Sequence, residues 1–371
     1  MDIDYSVLKI RDSVDIYTSE LDEEVAFVQF YFINTRRKIG IEIDKRFCIF
    51  LAKLDGKSVL SEVLNSSNIA PDKEALEVIQ FLLRSNVLVL IEDLDEEYAD
   101  QRYSRQITFL DDWVQGFKGA DCQRRVSDAE CVIFGIGAVG SNIAIQLVRA
   151  GVSKITLVDH KELCLSSQER HPYFSADRLG DSKVEVLKDH LLKINRKCVI
   201  TVFAEKILPQ SDLSKYISDT ASIIINSADE PYIGHISIKL GRYVWPKKIP
   251  LYVAGGFDAH LMSTGDFLVP GESCCVDCCS DHFTAALKDW KPSYKVHERQ
   301  TVDGRAMGGS GGLFPMAFFS ANYAALLIIN FLAGGTSYRN VLDKRGEFSA
   351  SNAGITWTSI MKKEACHVCG E

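Results

Sequence analysis

Apolar residues in the middle of the chain predict a strand–helix–strand unit. Residues 131–134 form a short, continuous apolar run, which is typical of a buried strand. The pattern that follows has helical spacing and includes Ile143 and Leu147, and a second apolar run at residues 155–158 ends in Asp159. These lengths are those of two parallel strands joined by a crossover helix.

The alternation of apolar runs and helical patterns continues to residue 254. We expect helices at residues 182–195, 213–217 and 233–243, and strands at residues 200–204, 221–226 and 251–254. Such alternation predicts the α/β fold class, with a doubly wound, mostly parallel, Rossmann-like sheet covered by helices on both faces. Residues 280–312 are polar, glycine-rich and weakly patterned, so we expect a long loop there.

The N-terminal part of the chain has a different pattern. Residues 25–43 alternate apolar and polar side chains around a turn-like Asn34-Thr35-Arg36, which predicts a hairpin. Beyond it we expect short helices at residues 48–54 and 59–64, a helix at residues 73–84 and a strand at residues 87–91. These elements are typical of a winged-helix-like module. We place this domain at residues 1–97 and a second domain at residues 98–371, with an acidic linker at residues 92–100 and a helical lead-in at residues 107–130.

Charge and hydropathy argue against several classes of protein. A net charge of −8 disfavours general nucleic-acid binding, which requires a basic surface. The N-terminus lacks the pattern of a secretory signal, so we expect a cytoplasmic chain. Residues 314–333 are nearly long enough to span a membrane, but Ser320 and Asn322 interrupt them. We therefore expect a buried amphipathic helix, with neither a membrane nor a nucleic-acid partner.

Three glycines at the first strand–helix junction predict a nucleotide site. Gly135, Gly137 and Gly140 have G-x-G-x-x-G spacing, which permits a tight turn, a close approach of phosphate to the backbone and close packing of helix on sheet. The helix N-terminus attracts an anion, and Asp159 is placed to accept hydrogen bonds from a ribose. The motif alone does not separate NAD, FAD and ATP, and it also occurs as a tight turn without a ligand.

Cysteines predict a metal site near the C-terminus. Two of the eleven cysteines form one C-x-x-C pair and two form another, namely Cys275, Cys278, Cys366 and Cys369. Four thiolates in this arrangement are typical of structural Zn²⁺, and a redox dithiol is the alternative. Cys274 and Cys279 flank the first pair, so the ligand register is ambiguous.

Charged residues beyond the glycine loop narrow the ligand. Arg170 and Lys183 are suited to neutralising phosphate oxygens, although each is also typical of a solvated surface. Asp229 follows a buried strand, where a carboxylate suits Mg²⁺ or a helix N-cap. Arg102 and Arg105 are candidates for an arginine finger or for exposed linker charges.

Together these features resemble the ThiF-type adenylating enzymes of the ubiquitin-activating superfamily, such as those of molybdopterin and thiamin biosynthesis. The resemblance runs from Arg102 to Glu371 and rests on R-Y-S-R-Q at 102–106, G-I-G-A-V-G at 135–140, V-D at 158–159, Arg170, G-D-S-K at 180–183, S-A-D at 227–229 and the two C-x-x-C pairs. It implies an enzyme that uses ATP and Mg²⁺, contains structural Zn²⁺ and forms a homodimer.

The resemblance also implies a role for each matching residue. ATP would be bound by Gly135, Gly137, Ala138, Val139, Gly140, Asp159, Ser167, Arg170, Lys183 and Asp229. Of these, Arg170 and Lys183 would contact the triphosphate and Asp229 would hold Mg²⁺. Together with Arg105, supplied by the other subunit, these three residues would form the catalytic set. Ser167 stands where the family usually has asparagine, and Cys164 stands where a peptide-modifying member has an acidic residue.

The N-terminal module resembles the precursor-peptide recognition domain of enzymes that modify ribosomal peptides. The closest resemblance is therefore to the peptide-modifying members of the superfamily, those of microcin C and pantocin biosynthesis. It implies a cytoplasmic enzyme of antibiotic biosynthesis whose N-terminal domain binds the leader or core of a precursor peptide. A peptide carboxylate or carboxamide would be adenylated with release of pyrophosphate, and intramolecular capture would then cyclise the peptide.

Other functions remain compatible with these residues. The product could instead be a stable peptide nucleotide, or the substrate could be the C-terminus of a ubiquitin-like sulfur carrier. An NAD-dependent oxidoreductase or NAD-sensing regulator with a DNA-binding winged helix is a third alternative. Arg170, Lys183, Asp229 and the acidic net charge disfavour that last one.

Overall fold

The computed structural model describes residues 6–91, 102–114, 116–229, 233–258, 261–286 and 313–370. The chain forms two compact units, residues 1–124 and residues 125–371. The acidic linker predicted at residues 92–100 lies outside the described residues, so a domain boundary at residue 97 stays a prediction.

The first unit contains two three-stranded antiparallel sheets. Strands β1 (Val7–Ile10), β5 (Asp55–Val59) and β6 (Leu88–Leu90) form one sheet in the order β5-β1-β6, and strands β2 (Val14–Glu20), β3 (Val25–Phe32) and β4 (Lys38–Asp44) form the other in that order. The helices are α1 (Lys45–Lys53), α2 (Leu60–Ser66), α3 (Lys73–Arg84), α4 (Ser104–Trp113) and α5 (Gly119–Asp128), which begins in this unit.

The hairpin and the helix predicted in this unit are confirmed. Strand β3 alternates half-buried and buried side chains, and its inward residues include Phe30 and Phe32. Helix α3 buries Ile79 and Leu82 on one face, and the Asp72 carboxylate accepts a hydrogen bond from the backbone N–H of Ala75 at 2.9 Å. Periodic burial and an N-terminal cap therefore fix both elements.

A buried polar network joins helix α4 to the N-terminal strands. Asp111 of α4 accepts a hydrogen bond from Arg11, and Asp112 accepts bonds from Ser13 at 3.3 Å and from Asn34 at 2.8 Å. Burial raises the pKa of Asp112, while these donors and the charge of Arg11 oppose the rise. This network explains why the first compact unit includes residues beyond the predicted boundary.

The second unit is built on a six-stranded sheet. The strands of the whole second unit are β7 (Glu130–Phe134), β8 (Lys154–Val158), β9 (Val199–Phe203), β10 (Ile223–Asn226), β11 (Leu251–Val253), β12 (Phe257–Asp258), β13 (Leu261–Ser263), β14 (Asp266–Leu268), β15 (Lys344–Ser349) and β16 (Gly354–Ser359). The main sheet has the order β14-β11-β10-β7-β8-β9 and is parallel except for β14. The predicted α/β fold class is confirmed. A four-stranded antiparallel sheet, β12-β13-β15-β16, was not predicted.

Helices of the second unit are α6 (Ala138–Ala150), α7 (Lys183–Ile194), α8 (Ile233–Val244), α9 (Val276–Ala286) and α10 (Phe314–Leu332). Helix α10 packs against α6 and buries Ser320 and Asn330. By length and composition it is the one helix of the described residues that could cross a membrane, and 44% of its apolar window is buried. The absence of a membrane partner stays a prediction.

One prediction in this unit is partly wrong. Residues 280–286, expected in a loop, belong to helix α9. Val276 and Cys279 are buried and Phe283 packs against the same core, so the helix has an apolar face that its polar residues obscure in the sequence. Residues 287–312 of that expected loop lie outside the described residues.

Candidate active site

The glycine loop connects strand β7 to helix α6. Gly135 has a φ of +84°, and a Cβ there would overlap the backbone of Ala228. A Cβ on Gly140 would overlap the carbonyl oxygen of Gly135, whereas a Cβ on Gly137 would meet only open space. Gly135 and Gly140 are therefore required by the backbone, and Gly137 leaves room for a ligand at the N-terminus of α6.

Helix α6 presents its first turn at this opening. Gly137 is its N-cap in an extended conformation, and no side chain caps the helix. Ala138 and Val139 follow as its first residues. Uncapped backbone N–H groups at a helix N-terminus favour an anion, and the predicted contact of these residues with ATP stays a prediction.

Asp159 lies at the carboxyl end of strand β8 and is largely buried. One carboxylate oxygen accepts a hydrogen bond from the backbone N–H of Ile136 at 2.7 Å, and the other accepts one from Lys161 at 2.8 Å. These bonds fix the carboxylate beside the glycine loop. Each oxygen retains acceptor capacity, so the predicted ribose contact is chemically available.

Lys183 is the first residue of helix α7 and is only 7% exposed. Its backbone N–H donates to the carbonyl of Lys161 at 3.0 Å, which holds the start of α7 against the segment after β8. Burial lowers the pKa of Lys183, the charge of Asp159 opposes that effect, and the positive charges of Lys161 and Arg170 add to it. Asp159 and Arg170 thus lie near enough to Lys183 for their charges to act on it, and the predicted contacts of these residues with ATP stay predictions.

Ser167 is fully buried, and its hydroxyl is used within its own turn. The hydroxyl accepts a hydrogen bond from the backbone N–H of Cys164 at 3.3 Å and lies 3.4 Å from the Cys164 thiol. Arg170 is half-buried, and its Nε donates to the carbonyl of Ser166 at 3.3 Å. Ser167 therefore shapes the turn that carries Arg170, and its predicted contact with ATP stays a prediction.

Asp229 follows strand β10, and its side chain is 80% exposed. The Nζ of Lys161 lies 4.0 Å from its carboxylate. An exposed carboxylate is a hard oxygen donor that suits Mg²⁺, which keeps several waters and binds one or two carboxylates together with phosphates. Lys161 was missed from the sequence, where its only signal is a cation two residues after Asp159.

Two aromatic residues near the loop were also missed. His171 is 4% exposed, and its Nδ1 lies 3.0 Å from the carbonyl of Ser167. Burial and the positive charge of Lys183 lower the pKa of His171 to about 4, so the ring is neutral at pH 7. The buried Tyr173 hydroxyl donates to the carbonyl of Ile136 at 3.0 Å and so supports the glycine loop.

Arg105 lies in the first turn of helix α4 and is exposed. It belongs to the first unit, whereas the other predicted site residues belong to the second. Its role as a finger supplied by another subunit stays a prediction.

The two C-x-x-C pairs form one cluster, which we call the cysteine cluster. The four sulfur atoms of Cys275, Cys278, Cys366 and Cys369 lie within 4.8 Å of one another. Two pairs across the cluster, Cys275–Cys366 and Cys278–Cys369, are 3.5 Å and 3.6 Å apart, near the ~3.8 Å expected for four sulfurs bound to Zn²⁺ at ~2.3 Å. Cys274 and Cys279 pair separately at 3.4 Å, which resolves the ambiguity in register. The donor set fits zinc.

The ThiF family model matches residues 103–368. This chain belongs to the ThiF family. It is 25% identical to the molybdopterin-synthase adenylyltransferase of Escherichia coli over 279 residues, 74% of this chain and 99% of that protein. It is 30% identical to the E. coli tRNA threonylcarbamoyladenosine dehydratase over 164 residues, 43% of this chain. The matches span only 60% of that dehydratase and 48% of its Haemophilus influenzae counterpart.

Solved structures share the fold over nearly the whole chain. E. coli MccB with ATP has a TM-score of 0.72 at 21% identity, covering 98% of this chain and 99% of that one. PaaA has a TM-score of 0.68 at 19% identity, covering 95% and 100%. The predicted resemblance to the ThiF-type superfamily and its peptide-modifying members is thus confirmed at the level of family and fold.

Proposed function

We propose that this ThiF-family chain is an ATP-dependent enzyme that adenylates a ribosomally made precursor peptide. The observation that carries the proposal is the clustering of Asp159, Arg170 and Lys183 beside the open glycine loop, with Asp229 within ion-pair distance of the same segment. This set supplies a ribose acceptor, two phosphate-neutralising cations and a carboxylate for Mg²⁺. The chain also matches an adenylyltransferase, the molybdopterin-synthase enzyme of E. coli, over 99% of that protein's length.

The reaction follows from these residues. ATP lies with its phosphates at the N-terminus of α6, where Gly137 leaves room, and Lys183 and Arg170 neutralise phosphate charge. Asp229 would hold Mg²⁺, which would add to the neutralisation of charge on the leaving pyrophosphate. A peptide carboxylate or carboxamide oxygen bonds to the α-phosphorus as the bond between the α-phosphorus and the bridging oxygen breaks. The products are an adenylated peptide and pyrophosphate.

A groove in the first unit supports a peptide as the substrate. Strand β4 is an edge strand of its sheet among the described residues, and a groove of about 380 Å³ lies between it and helix α3. Four apolar residues and three glutamates line it: Ile41, Glu42 and Ile43 from β4, and Glu74, Glu77, Val78 and Phe81 from α3. An extended peptide can add to such an edge as a further strand, with alternate side chains in the groove. Structures of MccB are known with the precursor MccA.

Further parts of the proposal complete the enzyme. The cysteine cluster binds a structural Zn²⁺, and a second subunit of a homodimer supplies Arg105. After adenylation, a group of the same peptide captures the activated acyl carbon and releases AMP, which cyclises the peptide. Alternatively, the adenylated peptide is the final product. Adenylation of a sulfur-carrier C-terminus is a second candidate function, favoured by the full-length match to the molybdopterin-synthase adenylyltransferase.

ATP–pyrophosphate exchange tests the proposal with peptides encoded beside the gene. We expect one peptide to stimulate exchange, and Phe81→Arg to abolish that stimulation because it replaces an apolar ring of the lining by a long cation that can pair with Glu77, one turn earlier, and fill the groove. Nucleotide affinity should not change. Ile49→Arg, on an exposed position of α1 that does not line the groove, is the matched control.

Two outcomes would contradict the proposal, and they do so at different levels. Carrier adenylation would be favoured if a sulfur carrier stimulated exchange and no peptide did. In that case the carrier should stimulate exchange equally in Phe81→Arg and Ile49→Arg. Stimulation by neither substrate, with no binding of Mg-ATP, would overturn the adenylating activity itself.

A further inference from the structure

Lys161 is held in the nucleotide site by its own backbone. Its N–H donates to Asp159 at 2.8 Å, and its carbonyl accepts from the N–H of Lys183 at 3.0 Å. The side chain is 38% exposed, and its ammonium lies 4.0 Å from the carboxylate of Asp229. Lys161 therefore connects the predicted ribose, phosphate and Mg²⁺ residues, although none of the sequence motifs includes it.

The cations near Lys161 repel one another. The charges of Lys161, Arg170 and Asp159 all act on Lys183. Lys161 also lies near a second carboxylate, that of Asp229. Burial lowers the pKa of Lys183, Asp159 opposes this, and the charge of Lys161 lowers it further, so the two lysines repel each other. A ligand with several negative charges relieves that repulsion.

The contact between Lys161 and Asp229 is also weak. Its distance is at the outer limit of an ion pair, and Asp229 is 80% exposed, so water screens the attraction. A divalent cation with hard-ligand chemistry competes well for such a carboxylate. The ammonium that it displaces from Asp229 can then turn toward an anion.

We propose that Lys161 is a second phosphate-binding lysine, whose ammonium pairs with Asp229 before nucleotide binds and turns to the polyphosphate when Mg²⁺ takes Asp229. The proposal rests on the proposed function, because it requires a nucleoside polyphosphate as the ligand. Lys161 then serves two states of the site. It neutralises Asp229 before binding and neutralises phosphate afterwards.

The test is calorimetric binding of ATP to the full chain, once with EDTA and once with Mg²⁺. Lys161→Ala should weaken ATP binding with Mg²⁺ about tenfold, because one charge-assisted contact is lost, and should change metal-free binding less, because Asp229 holds the ammonium there. Adenosine binding should not change, and Lys161→Arg should restore most of the ATP affinity. Asp229→Asn should have the opposite sign: metal-free ATP binding is kept or tightened because Lys161 is released, and the gain from Mg²⁺ is lost.

Lys154→Ala is the matched control, since Lys154 is an exposed lysine at the other end of the same strand, β8. It should bind ATP like the wild type. An ATP affinity with Mg²⁺ that is unchanged in Lys161→Ala, or a metal-free affinity that is lowered in Asp229→Asn, overturns the role of Lys161. A wild-type chain that binds no ATP with or without Mg²⁺ overturns the proposed function instead.

Discussion

At the residue scale, the Cys164 thiol is perturbed by the groups that surround it. Burial raises its pKa, but hydrogen bonds with Ser166 at 3.1 Å and Ser167 at 3.4 Å, together with the charge of Lys183, outweigh burial and lower the pKa to about 7. Cys48 is the opposite case, because burial and the charge of Asp44 raise its pKa. Thiolate reactivity follows these differences.

We therefore expect Cys164 to be alkylated by iodoacetamide with a midpoint near pH 7. A lowered pKa means that the thiolate is present above pH 7 and is lost as the pH falls through that value. Lys183→Met should move the midpoint upward, since the stabilising cation is removed. Mass spectrometry of both cysteines across a pH series measures this, with Cys48 as the internal control. A midpoint for Cys164 at or above that of Cys48 would contradict the prediction.

Single residues can be predicted from the sequence where the geometry of the fold requires a fixed spacing between them. The glycine loop and Asp159 were predicted because a strand, a turn and a helix must follow one another at fixed distances. Lys161 and His171 were not, because their roles depend on contacts with Asp229 and Ser167, which the fold brings close. A single cation or histidine in a sequence has no comparable signature.

At the element scale, the junction of β7 and α6 contains one glycine that folding requires, Gly140, and another that we expect ligand binding to require, Gly137. A methyl group at Gly140 would overlap the carbonyl of Gly135, whereas a methyl group at Gly137 would occupy open space, where we place the phosphate. Gly140→Ala should therefore destabilise the chain by about 2 kcal/mol, and Gly137→Ala should change stability by less than about 1 kcal/mol.

ATP affinity should show the complementary effect. Gly137→Ala should reduce it at least about tenfold, since the methyl group blocks the close approach of phosphate to the backbone. Urea unfolding and calorimetry of the two variants provide both measurements. Equal ATP affinity in Gly137→Ala and the wild type would place the phosphates elsewhere.

Burial along a whole strand made several strands of the parallel sheet predictable from the sequence. Strands of the parallel sheet such as β10 are buried along their length and gave clear apolar runs. Strand β16 is exposed along almost its whole length, and its partner β15 mixes charged and apolar residues, so the antiparallel sheet had no recognisable pattern. Packing within the fold, not local periodicity, determines such strands.

At the scale of the whole molecule, the cysteine cluster closes a long segment of the second unit. The pairs Cys275–Cys366 and Cys278–Cys369 each bring together residues 91 positions apart, one at the start of α9 and one near the C-terminus. A metal held by all four thiolates would couple its binding energy to the folding of this region. A redox dithiol would instead give one or two disulfides and no bound metal.

These alternatives differ in metal content and stability. We expect one Zn²⁺ per chain by plasma mass spectrometry, and thiols of the cluster that react with a colorimetric disulfide reagent only after chelation. Cys369→Ser should lose the metal and lower the melting temperature by about 10 °C, because the C-terminal knuckle is released. Cys48→Ser, outside the cluster, should keep both the metal and the melting temperature. The cluster would instead be a disulfide site if the wild-type chain contained no metal and if fewer than eleven thiols reacted after denaturation, since the sequence has eleven cysteines.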